Sequence, residues 1–169
     1  MKQIEPMPPE NTTPDTLKTP ERTNPEEPGT AFEPAIEAMD ERVWSALRAA
    51  IDKKALDVVA LDLRPLASFT DYFLIASGTN TRQVQAIADE VVERLKKEGT
   101  RAARVEGYQT AEWVLLDYGD FIFHIFEDKS RRFYDLERLW REAARIVLPA
   151  ELRGEAGGGG GGSAAGGQP

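Results

Sequence analysis

The chain has no cysteine and a single histidine among its 169 residues. The lack of thiols excludes disulfides, thiolate nucleophiles and Cys-ligated zinc, and it suits a reducing, cytoplasmic interior. A metal site on His124 would need three more ligands from carboxylates. A Ser-His-Asp triad would need an exposed serine in a G-x-S-x-G elbow, and the sequence has none. His124 therefore reads as a buried, hydrogen-bonded structural residue, and neither a cofactor nor a metal is expected. No apolar run approaches the roughly 20 residues of a membrane span. The N-terminus has one early lysine and no apolar stretch behind it, so it does not read as a secretory signal. Basic residues are also short, 21 Lys and Arg against 29 Asp and Glu, a formal net charge of −8. That balance argues against a nucleic-acid groove, sequence-specific or otherwise, and fits a basic partner surface.

What is present divides the chain in three. Residues 1–36 hold eight of the eleven prolines, three basic residues and seven acidic ones. Such a segment cannot bury enough apolar surface to offset its ordering entropy, so a disordered acidic arm is expected. Residues 153–169 include AGGGGGGSAAGGQP and read as a flexible Gly-rich tail. The folded part is then 37–152, a single domain large enough for a real core.

Within it, Val43, Trp44, Leu47, Ala50 and Ile51 recur at helical spacing and predict a helix over Asp40–Lys53. DVVALDL (Asp57–Leu63) and DYFLIAS (Asp71–Ser77) read as strands, broken apart by Arg64-Pro65. A second helix starts near Thr81 with Thr79 or Asn80 as cap, carries a Val84, Ile87, Ala88, Val91, Val92, Leu95 stripe, and stops at Gly99. A short strand is expected over Arg101–Glu106. Trp113–Asp117 and Phe121–Phe126 then form a tight hairpin around DYGD. FIFHIF is apolar on both faces apart from His124 and should be a central, doubly covered strand. Leu136, Leu139, Trp140, Ala143 and Ile146 predict a last helix from Tyr134 to Val147, ended by Pro149. The fold class is α/β, a mixed sheet of about five strands flanked by helices.

Asp57, Asp62, Asp71, Asp117 and Asp120 sit at strand ends, where two-metal phosphoryl transfer would place converging carboxylates. A nucleotidyltransferase normally supplies an Asp-x-Asp after a Gly-Ser turn. Here Ser77-Gly78 reverses the dipeptide and no Asp-x-Asp occurs in the domain. Asp117 and Asp120 flank the hairpin and serve as turn formers. SGTNTR precedes a helix N-terminus like a phosphate-cradling turn, yet lacks the glycines and lysine of a P-loop, and a helix cap explains it equally well. Aromatics cluster in the last third: Trp113, Tyr118, Phe133, Tyr134 and Trp140, beside Asp117, Asp120, Arg131 and Arg132. Aromatics and arginines anchor protein interfaces, but most of these aromatics can equally be core, and Trp140 on the helix stripe reads as core. The residues by themselves reach as far as a soluble α/β domain that acts as an interaction module.

FTDYFLIASGTNTRQVQAIADEVVERLKKEG and EGYQTAEWVLLDYGDFIFHIFEDKSRRFYDLERLW resemble the ribosomal silencing factor, or Iojap-like, family, over about Val43–Leu148. The resemblance implies a nucleotidyltransferase-like fold without the catalytic motif and without enzymatic activity. It implies a translational repressor that binds the large ribosomal subunit, through its ribosomal protein number fourteen, and blocks joining of the small subunit when nutrients are scarce. It also implies a homodimer in the free protein. Trp113 would be the aromatic anchor, with Asp117, Tyr118 and Asp120 beside it. Arg131, Arg132 and Tyr134 lie in the family's RRFYDLE-type motif and would serve docking or internal pairing. The competing readings are a nucleotidyltransferase-type enzyme, which would bind a nucleotide with magnesium, and a general dimeric adaptor, which would capture partners other than ribosomes.

Overall fold

A computed structural model of the chain describes residues 39–155; the expected N-terminal arm and nearly all of the Gly-rich tail lie outside them. In order, the elements are α1 (Glu41–Asp52), β1 (Leu56–Asp62), β2 (Tyr72–Gly78), α2 (Thr81–Lys97), β3 (Arg104–Glu106), β4 (Trp113–Asp117), β5 (Phe121–Glu127), α3 (Asp128–Tyr134), α4 (Leu136–Leu139) and β6 (Ala144–Ile146), then a short 3-10 turn at Ala150–Leu152. The sheet has six strands in the order β3-β4-β5-β2-β1-β6. Its centre is the parallel pair β2–β5, in register from Tyr72 opposite Phe121 to Gly78 opposite Glu127. The other neighbours are antiparallel.

The helix starts follow from their caps. The Asp40 carboxylate accepts from the backbone N–H groups of Arg42 and Val43 and opens α1. Asn80 Oδ1 accepts from Gln83 N at 2.8 Å and opens α2. Gln83 in turn accepts from Thr79 N and donates to the carbonyls of Lys53 and Lys54, tying the new helix to the end of α1. SGTNTR is therefore a capped helix start. Gly99, at φ +94, ends α2.

Residue alternation sorts the strands into two faces. Val114, Leu116, Phe121, Phe123, Ile125, Leu74 and Ala76 pack beneath the apolar stripes of α1 and α2 in one closed core. Leu61, Leu63, Phe73, Ile75, Ile122 and Phe126 point the other way. Among the described residues, that second face is covered by the α3–α4 segment and the loops beside it. Every residue of β2 is buried, and all of β5 except Glu127, as a central strand requires.

The last third departs from the expected helix over 134–147. Asp135, at φ +48, stops α3 and starts the single turn of α4, and Leu139 is 74% exposed. The chain then returns as a sixth strand along the open edge of β1, pairing Ala60 with Ile146 and Asp62 with Ala144. Backbone groups at a sheet edge gain partners this way, a demand that side-chain periodicity does not record. The order of burial past Ala143 is strand-like, with Ile146 and Leu148 inside and Val147 out. Past the expected boundary at 152, Val58 N donates to Arg153 O and Asp57 N to Glu155 O, so the fold continues to residue 155.

Gly107 sits at φ +79, and a Cβ there would meet the Trp113 carbonyl oxygen at 2.1 Å. Gly107→Ala should cost about 2–3 kcal/mol, from left-handed strain and this clash together. Urea denaturation measures it, and a change below about 0.5 kcal/mol would show that the turn relaxes freely.

Candidate partner-docking face

The less covered side of the sheet carries an aromatic layer. Trp113, at the start of β4, stacks on Phe126 with centroids 4.9 Å apart and tilts against Tyr134, also at 4.9 Å. Phe73 packs edge-on to His124 at 4.5 Å and to Trp140 at 5.5 Å, and Phe69 reaches Trp140 at 6.1 Å. Around this layer Phe133 is 80% exposed, Phe69 57% and Tyr134 50%, with Leu66 and Leu139 also open. An open cleft of about 900 Å³ runs past Leu66, Tyr134, Trp140, Arg132, Arg138 and Arg141. Contiguous exposed apolar surface rimmed by charge is the physical signature of a protein-binding face.

The structure divides the expected site residues. Trp113 and Tyr134 meet on this face. Arg132 lines the same cleft, held by Asp128 at 2.8 Å. Arg131 turns inward instead. Its Nη1 donates to the Asp57 carbonyl at 2.7 Å and to Ser77 Oγ at 2.9 Å, and its Nε to Glu137 at 3.0 Å. It therefore occupies the crevice at the C-terminal ends of β2 and β5, where an α/β fold usually binds its ligand. Of the two roles open for Arg131, internal pairing is the one observed.

Asp117, Tyr118 and Asp120 lie at the other end of the β4–β5 hairpin. Asp117 pairs with Ile122 while Trp113 pairs with Phe126, so about 14 Å separates the two ends at the usual rise per residue. Asp117 shares the Trp113 side of the strand, and its Oδ1 accepts from Gly119 N at 2.9 Å as a turn former. Tyr118 does not sit beside Trp113 on the surface. Odd and even positions of a strand face opposite ways, and Tyr118 is 7% exposed in the closed core, stacked on Phe121 at 5.0 Å. Burial pushes its phenol up to about 12. Asp120 is tied to Arg42 at 2.6 Å and fastens the turn to α1. Leu115, between Trp113 and Asp117 on the same side and half-buried, belongs to the open face. It went unremarked in the sequence although its spacing of two from Trp113 marks it.

A model of the family described as ribosomal silencing factor during starvation matches residues 36–159. The chain belongs to the ribosomal silencing factor family. It is 43% identical over 103 residues to a ribosomal silencing factor of Halalkalibacterium halodurans, covering 61% of this chain and 88% of the relative. It is 32% identical over 91 residues to the mouse protein named mitochondrial assembly of ribosomal large subunit protein 1, covering 52% of this chain and 40% of that one. A crystal structure of a Chromobacterium violaceum protein matches with a TM-score of 0.59 at 36% identity, over 61% of this chain and 88% of the other.

His124 lies at the middle of the open face, 3% exposed, and its Nδ1 accepts from Trp113 Nε1 at 3.1 Å. Burial pushes the imidazole down to about 4, from an ordinary 6.5. Between these values the unfolded chain binds a proton that the folded protein does not, so stability falls as pH drops from 6.5 towards 4 and levels off below. From pH 7 to pH 4.5 the wild type should lose on the order of 2 kcal/mol more than His124→Asn. Denaturation of both proteins at the two pH values measures this, and equal losses would contradict it.

Proposed function

We propose that the protein docks on the large ribosomal subunit through the open aromatic face of its sheet, and that its bulk there excludes the small subunit and lowers translation. The observation that carries this reading is the Trp113–Phe126–Tyr134 cluster, exposed at its Tyr134 edge, in a chain of the ribosomal silencing factor family. The mouse relative, named for assembly of the ribosomal large subunit, points to the same subunit. The contact is with the subunit's protein number fourteen, on the side that meets the small subunit. A formal charge of −8 suits a basic protein surface rather than the ribosomal RNA around it.

Such a repressor needs no chemistry. Arg131 packs into the strand-end crevice against Ser77 and Asp57. Affinity does the rest: a binder present at 100 times its dissociation constant shifts the competing equilibrium by about 2.7 kcal/mol. Trp113, Leu115 and Tyr134 form the centre of the contact, Arg132 and Asp117 its rim. Arg131 supports it from inside. In the absence of ribosomes two copies pair as a homodimer, and the site of action is the cytoplasm.

Trp113→Ala removes the central anchor, and such a loss typically costs 2 kcal/mol or more, about thirtyfold in affinity. Co-sedimentation with purified large subunits should fall at least tenfold for a variant that keeps its thermal midpoint within a few degrees. Undiminished binding by the folded variant would remove this face from the reading.

A further inference from the structure

The indole of Trp113 has one hydrogen-bond donor, and it is spent on His124. Ring contacts to Phe126 and Tyr134 fill space around the indole, and stacking tolerates rotation of the ring. The bond to Nδ1 does not, since its strength falls steeply with misalignment. His124 is itself locked by Phe73 edge-on at 4.5 Å and by Phe126 stacked at 6.3 Å.

Its other nitrogen carries a cost. An imidazole that accepts at Nδ1 holds its proton on Nε2, and that Nε2 is buried with no hydrogen-bond partner among the described residues. An unsatisfied buried donor destabilises a fold, and an apolar side chain of similar size would avoid it. Of the two nitrogens, only Nδ1 has a partner, and that partner is the exposed face's central aromatic.

We propose that His124 is a positioning residue for the docking face, its Nδ1 holding the Trp113 indole in the orientation that a partner meets. This rests on the reading of Trp113 as the anchor. A preset indole loses little freedom on binding, whereas a free one must be ordered at that moment. Losing the bond should therefore weaken binding about threefold to tenfold.

The test compares wild type, His124→Leu, His124→Asn and Trp113→Ala for affinity to large subunits and thermal midpoint, and the proteins that retain Trp113 for the indole Nε1–H resonance. Asparagine presents its Oδ1 where Nδ1 was. H124N should keep a protected, hydrogen-bonded Trp113 resonance and bind within about twofold of wild type. H124L trades the unpaired Nε2–H for an unpaired Trp113 Nε1–H; it should fold, lose that resonance position and bind about threefold to tenfold more weakly. A role in packing alone would leave binding unmoved in H124L, and that result, with W113A still defective, overturns the proposal while the docking reading stands. Full binding by W113A removes both. If H124L does not fold, H124F, which keeps a ring and lacks the acceptor, gives the same decision.

Discussion

The parallel pairing of β2 with β5 is the constraint on which the rest of the structure depends. Two parallel neighbours cannot be joined by a tight turn, so the chain between them must cross the sheet. Here that crossover carries α2 and the β3–β4 segment, and α2 lands beside α1 on one face of the sheet. Two full helices close that side completely. Among the described residues, the opposite side receives two short helical pieces after β5 and the loops beside them, which leave Trp113 half-buried and Phe69, Phe133 and Tyr134 exposed. The asymmetry of the faces, one core under two full helices and a smaller one under short pieces and loops, follows from where a single connection runs.

The same pairing sets the fate of the strand ends. β2 and β5 finish together at Gly78 and Glu127, next to the start of α2, a place that could receive a phosphate or a metal in an α/β protein. Arg131 is there instead, bonded to Ser77 and to the bulged backbone at Asp57, with Glu137 on its other side. A buried guanidinium with all these partners holds α3 against the sheet. The architecture thus uses its traditional ligand crevice for internal support.

How much of this the sequence disclosed depended on what each segment obeyed. Helix α2 and the β4–β5 hairpin follow local rules of cap, stripe and turn, and both were legible to within a few residues. The segment after Tyr134 was not. Leu136, Ala143 and Ile146 fit a helical stripe, but Asp135 takes a left-handed conformation and the edge of β1 recruits the following residues as a strand. That competition is tertiary, and periodicity within the segment cannot record it. Trp113 was legible as an aromatic at a strand start, but its partial exposure was left open between surface and core. Tyr118 misled because proximity in sequence suggested proximity in space, whereas five positions along a turning hairpin place it in the opposite layer. Asp117 read correctly as a turn former, whereas the Asp120 side chain pairs with Arg42 instead.

Subunit joining tests the central claim most directly. Purified large and small subunits are mixed after the large subunits have been incubated with the protein, and light scattering or a sucrose gradient reports the joined ribosome. Steric exclusion predicts that the joined fraction falls as the protein is added, with the protein sedimenting on the large subunit alone. A joined fraction that stays constant while the protein remains bound, or binding to the small subunit instead, would contradict it.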